Sequence, residues 1–89
     1  MSVFIDNARM AAPHLVGGRA RWAHLSADSP EELIAFADRL GLKRAWFQPG
    51  CLYHYDVVDR LRTEAIRLGA EPVTSRELVR RVKAATEAG

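Results

Sequence analysis

Ser29-Pro30-Glu31-Glu32-Leu33-Ile34-Ala35-Phe36-Ala37-Asp38-Arg39-Leu40-Gly41 is the stretch from which the fold class follows. Serine at the N-cap accepts from a first-turn amide, and proline fits the first helical position, where its missing N–H costs nothing. The glutamates complement the positive end of the helix dipole. Leu33, Phe36, Ala37 and Leu40 recur at helical spacing, and Gly41 supplies the stop. The segment predicts an amphipathic helix with one apolar face to bury.

Downstream, the order of helix, Leu-Gly, short strand and capped helix recurs at Leu68-Gly69. Val58, Leu61, Ala65 and Leu68 line the core face of a second helix, for which Asp56 is the expected N-cap. Thr74-Ser75-Arg76-Glu77 is a capping box that opens a third helix with Leu78, Val82 and Ala85 inward. Strands are expected at Ser2 to Asp6, Arg21 to Leu25, Lys43 to Gln48 and near Pro72-Val73, from their β-branched and aromatic content. The order predicts a small single α/β domain of three or four short, mostly parallel strands with about three helices. Residues 7–20, with Pro13 and Gly17-Gly18 and no sustained periodicity, read as a mobile loop.

The 89 residues are enough for one domain, and 48% hydrophobic with 27% charged residues is a globular composition. A chain this short has little room for a large internal cavity, so a ligand site is expected as a surface cleft. A net charge of +2 is too small to imply nucleic acid by bulk electrostatics. All basic residues except Lys43 and Lys83 are arginine, which favours bidentate carboxylate or phosphate contacts but also solvated helix faces. Cys51 alone allows no internal disulfide and no thiolate-built zinc site. With no basic leader and no apolar run long enough for a span, the expectation is a soluble cytoplasmic protein.

His54-Tyr55-Asp56 is the most concentrated chemistry in the chain. His54 and Asp56 are the candidate catalytic pair, with the carboxylate orienting the imidazole as an acid or base. His24, His54, Asp56 and Asp6 are residue types that ligate a divalent metal such as zinc or manganese. Arg9, Gln48, Tyr55, Arg60 and Arg62 are the candidate ligand-binding residues. The structural counter-readings are Asp56 as a helix cap, His24 as a core histidine beside Trp22, Arg60 paired with Glu64 and Arg62 with Asp59. Cys51 reads as a plain loop thiol and His14 as surface. Trp22, Trp46, Phe4, Phe36 and Phe47 suffice to build the core of so small a domain. The leading expectation is a ligand-binding or interaction module, for an anionic small molecule or nucleic acid or for a second copy of the chain. The alternative is a small metal-assisted hydrolase acting on a phosphate ester or nucleic acid.

Val3-Phe4-Ile5-Asp6-Asn7-Ala8-Arg9, Trp22-Ala23-His24-Leu25, Asp28, Glu31-Glu32-Leu33, Phe36-Ala37, Leu40-Gly41-Leu42, Trp46-Phe47-Gln48, His54-Tyr55-Asp56, Arg62 and Leu68-Gly69-Ala70 resemble a family of short bacterial and phage proteins. That family is domain of unknown function four-zero-three-one, and the likeness runs from Ser2 to about Glu77. It implies no activity. Asn7 departs from the pattern, which favours a second acid after Asp6.

Overall fold

Side-chain alternation along one central strand, β3 (Arg21–Ala27), sets both faces of the sheet. Ala23, Leu25 and Ala27 go to one face and are buried, whereas Trp22, His24 and Ser26 go to the other. The computed structural model describes residues 2–7, 9–10 and 21–88. The expected loop at 7–20 therefore lies largely outside the described residues.

Strand β1 (Val3–Ile5) pairs antiparallel with β3, Ile5 opposite Leu25, and β2 (Arg9–Met10) continues along the same edge, Arg9 opposite Trp22. The register shifts by one residue between these two pairings, next to Asp6. On the other edge β4 (Tyr55–Val58) pairs antiparallel with β3, placing Asp56 opposite His24. Only β5 (Glu71–Pro72) runs parallel, beside β1. The sheet is therefore mixed, which corrects the mostly parallel expectation. The returns from β1 to β3 and from β3 to β4 are antiparallel and need no right-handed crossover, which an alternation of helix and strand signals does not reveal.

Helix α1 (Pro30–Leu40) has the bounds the sequence predicts. The Ser29 hydroxyl accepts from the Glu32 N–H at 3.1 Å, and Gly41 adopts the left-handed conformation with φ 87°. Leu33, Phe36, Ala37 and Leu40 are its buried residues, as the spacing requires. Helix α2 (Asp59–Arg67) follows β4 directly and buries Ala65, with Leu61 and Leu68 packed partly against the core. Helix α3 (Ser75–Ala88) buries Leu78 and Val82, and the Glu77 N–H donates to the Thr74 hydroxyl at 3.0 Å, the reach expected of a capping box.

Two local expectations fail, and tertiary pairing is the cause of each. Lys43 to Gln48 is not a strand: Arg44–Trp46 forms a 3₁₀ turn, with the Trp46 N–H on the Lys43 carbonyl at 2.9 Å. The turn swings the chain so that Gln48 and His54 exchange backbone hydrogen bonds of 2.9 and 3.1 Å, overriding the β-propensity of Ala45-Trp46-Phe47. Asp56 is not a helix cap either. It lies inside β4, and Val58 stands at the N-cap of α2 without a side-chain hydrogen bond.

Phe4, Ile5, Leu25, Leu33, Phe36, Tyr55 and Val57 lie in one continuous core with Leu78 and Val82. Trp46, expected in that core, is 49% exposed, and Phe47 is partly buried edge-on to Tyr55 with ring centroids 5.7 Å apart. Truncation should separate the two cases in urea unfolding. Phe4→Ala removes a fully buried ring and is expected to cost about 3–5 kcal/mol, whereas Trp46→Ala should cost less than about 1 kcal/mol.

Candidate functional site

Asp6, His24 and Asp56 form a row across β1, β3 and β4 on one face of the sheet. The Asp6 N–H donates to the His24 carbonyl at 3.1 Å, and His24 stands directly opposite Asp56. His54 sits two residues before Asp56 and therefore on the same face, diagonal to His24. The alternation in His54-Tyr55-Asp56 thus puts histidine and carboxylate forward and Tyr55 behind.

Each forward group is oriented by a partner behind it. Asp6 Oδ2 lies 2.7 Å from His24 Nδ1, which must carry its proton to donate to a carboxylate; this leaves Nε2 facing outward. His54 Nδ1 lies 2.6 Å from the Leu52 carbonyl, an acceptor only, so its Nε2 is also left outward. Gln48 Nε2 donates to Asp56 Oδ2 at 2.7 Å. The other carboxylate oxygen, Oδ1, lies 3.8 Å from His24 Nε2 and 3.5 Å from His54 Nε2. The imidazole rings meet edge to face with centroids 5.1 Å apart.

One donor atom from each of His24, His54 and Asp56 lies within 4.8 Å of the other two. Atoms about 2.0–2.2 Å from a shared zinc ion stand at most about 4.4 Å apart, so a small side-chain rotation closes the set. The side chains of His24, His54 and Asp56 are 46%, 22% and 41% exposed, which leaves the cluster open to a ligand from solvent. A cleft of about 130 Å³ adjoins it, lined by His24, His54, Leu52, Ser75, Leu78 and Val79, so α3 forms one wall.

Asp6 does not join the donor cluster. It is 1% exposed, with Oδ1 accepting from the His24 N–H at 2.7 Å and Oδ2 from the Ser75 hydroxyl at 2.8 Å as well as facing the imidazole. The expectation placed it beside His24, His54 and Asp56 as a ligand; its carboxylate stands behind His24, against Nδ1. Tyr55, expected among ligand-binding residues, is fully buried, and Tyr53 with it, because positions of equal parity share a face. Arg62 donates through Nε to the Asp6 backbone carbonyl at 2.7 Å and so ties α2 to the end of β1. Arg60 is exposed, and Glu64, its expected partner, pairs with Arg67 instead. Arg9 pairs with Trp22 in the sheet, and its side chain lies outside the described residues, as does His14. Cys51 is an exposed free thiol. Ser75 and the Leu52 carbonyl were not legible beforehand. A serine inside a capping box and a backbone oxygen carry no sequence signal of their own.

The electrostatics follow the contacts. Burial alone would raise the Asp6 carboxyl, but the hydrogen bonds from the His24 side chain, the His24 amide and Ser75 together hold it below the usual carboxylate range. His24 is raised by its bond to Asp6 against the opposing effect of burial. His54 is raised by Asp56, again against burial, with help from the Leu52 carbonyl. Asp56 is lowered by His54 in spite of burial, and Gln48 adds to this.

The Asp6–His24 pair has a definite pH signature. A lowered carboxylate contributes stability above its unfolded pKa and loses it as pH falls through the folded one; a raised histidine contributes below its unfolded pKa and loses it as pH rises through the folded one. The ion pair therefore stabilises fully between the unfolded Asp and unfolded His values, and that contribution is lost as pH falls through the lowered Asp6 value or rises through the raised His24 value. Asp6→Asn should move the His24 pKa down in an NMR titration of the ring protons and flatten the stability maximum over that window. An unchanged His24 titration would overturn the assignment of Asp6 as its orienting partner.

No curated protein and no solved structure matches the chain. A family model does, over residues 3–85, and it carries the description "Protein of unknown function (DUF4031)". With nearly the whole chain matched, and with the residues of the Asp6, His24, His54 and Asp56 cluster all inside the matched span, the protein belongs to that family.

Proposed function

We propose that this domain holds a divalent metal ion, zinc or manganese, between His24, His54 and Asp56, and acts as a small metal-assisted hydrolase on a phosphate ester. The observation that supports this most strongly is that all three donors are oriented from behind: His24 by Asp6, His54 by the Leu52 carbonyl and Asp56 by Gln48. A helix cap needs no such arrangement, whereas ligating imidazoles nearly always have their second nitrogen fixed by a carboxylate or carbonyl. Two imidazoles and one carboxylate suit zinc, manganese or iron and leave coordination positions for water and substrate.

Such an ion would supply Lewis acidity toward a phosphoryl oxygen and lower the pKa of a water molecule. The chain's own residues supply the rest. Asp6 keeps His24 in the tautomer with Nε2 free, and Ser75 and the His24 amide keep Asp6 ionised in a buried place. Gln48 fixes the rotamer of Asp56 so that Oδ1 faces both imidazoles. Arg60, exposed in the first turn of α2 and lining the cleft beside Asp56, is a cation available to an anionic substrate.

Elemental mass spectrometry of protein purified without a chelating tag is the test, comparing the native chain with His54→Ala and Asp6→Asn. Near-stoichiometric metal is expected in the native chain and loss in His54→Ala. Asp6→Asn should weaken metal affinity by about 10–100-fold, the usual effect of removing an orienting partner. Metal-dependent release of p-nitrophenol from a phosphate mono- or diester should follow the metal content. A native chain that takes up neither zinc nor manganese would sink the reading. Stoichiometric metal without turnover would leave a metal-containing ligand-binding module in place of the hydrolase.

A further inference from the structure

A second cleft opens beside Asp56, with a volume of about 470 Å³ and walls that include Trp22, Leu42, Trp46, Gln48, Asp56 and Arg60. That size falls within the range of small-molecule sites, roughly 300–1,000 Å³. Asp56 belongs to both this cleft and the donor cluster, and its partner Gln48 lines the cleft beside it, so a molecule seated in the cleft reaches the cluster at one end.

The cleft combines features that core packing does not account for. Trp46 is 49% exposed, on the 3₁₀ turn, and among the described residues Leu52, at 39%, is the other exposed large apolar side chain. Lys43 Nζ lies over its ring, 5.5 Å from the centroid. Among the described residues Arg60, like Arg39, Arg62 and Arg76, has no ion-pair partner, whereas Arg44, Arg67, Arg80 and Arg81 each have one; of these arginines Arg60 is the one that lines the cleft. Arg60 also stands in the first turn of α2, where the helix dipole disfavours a cation, and Asp59 beside it offsets this only in part. A site with indole walls and an unpaired guanidinium, opening toward a cluster that would hold a metal, fits a planar ring joined to a phosphate.

We propose that this cleft is the base-binding subsite of the enzyme and that its substrate is a nucleotide, with the base against Trp46 and the phosphate between Arg60 and the His24/His54/Asp56 cluster. The assignment of the phosphate end rests on the metal reading above; the ring subsite stands on the cleft alone. Stacking on an indole tolerates every base, so the preference is for nucleotides as a class and not for one of them.

The test is calorimetric titration of the full chain, loaded with zinc or manganese, using adenosine monophosphate, ribose 5-phosphate and adenosine as probes, with indole fluorescence followed in parallel. Adenosine monophosphate should bind about ten-fold or more tighter than ribose 5-phosphate, the usual worth of one stacked base. Trp46→Ala should abolish that advantage without changing ribose 5-phosphate affinity or metal content, and Trp46→Phe should restore most of it. Arg60→Gln should weaken both phosphate-bearing probes and leave adenosine unchanged. Equal affinity for adenosine monophosphate and ribose 5-phosphate in a metal-loaded native chain would overturn the subsite while leaving the metal reading intact. Trp46-dependent binding of adenosine by a chain that takes up no metal would do the reverse.

Discussion

The buried carboxylate of Asp6 is the constraint from which the rest of this structure follows. A nearly unexposed charged group is tolerated only when its acceptors are filled, and here the filling comes from two separate elements: the amide and imidazole of His24 on β3 and the hydroxyl of Ser75 at the start of α3. Its own backbone carbonyl takes the guanidinium of Arg62 from α2. One residue at the end of the first strand thus fixes the positions of a neighbouring strand and two helices. The same bonds determine which nitrogen of His24 faces outward. Structural and chemical constraints therefore meet in one side chain.

That arrangement places the chemistry on a sheet face and not beyond the carboxyl ends of parallel strands, where a doubly wound fold would keep it. The antiparallel pairing of β3 with β4 does this directly, because opposite residues on one face come within side-chain reach. Helix α3 covers part of that face through Ser75, Leu78 and the Arg81 guanidinium, 5.4 Å from the centroid of the Phe4 ring, and leaves His24, His54 and Asp56 at the open margin. A domain too small for an internal cavity can in this way still present three oriented donor groups between a helix wall and a shallow cleft.

Helices α1 and α3 were legible in detail because their signals are local. Ser29, Pro30 and Gly41 act within one turn of themselves, as do Thr74 and Glu77. The apolar spacing of Leu33, Phe36, Ala37 and Leu40 needs only some apolar surface to face. The segment around Trp46 and the position of Asp56 were misread for the opposite reason. β-propensity in a short run is decided by whether a partner strand is available, and Asp56 looks like a cap until Val57 and Val58 are seen to pair with β3. Asp6, His24, His54 and Asp56 were visible as residue types capable of one site, but their division into forward donors and a rear support was not.

The sequence by itself determined the bounds of α1, the capped start of α3 and the small α/β character, because caps, glycine stops and apolar spacing act within a turn of themselves. Tertiary structure alone decided the antiparallel partners of β3, the exposure of Trp46, the commitment of Arg62 to a backbone carbonyl and the approach of His24 to His54 and Asp56. Those depend on contacts between residues far apart in the chain. Their free energies come from register, burial and the filling of Asp6's acceptors in the folded state, and local propensity carries no record of them.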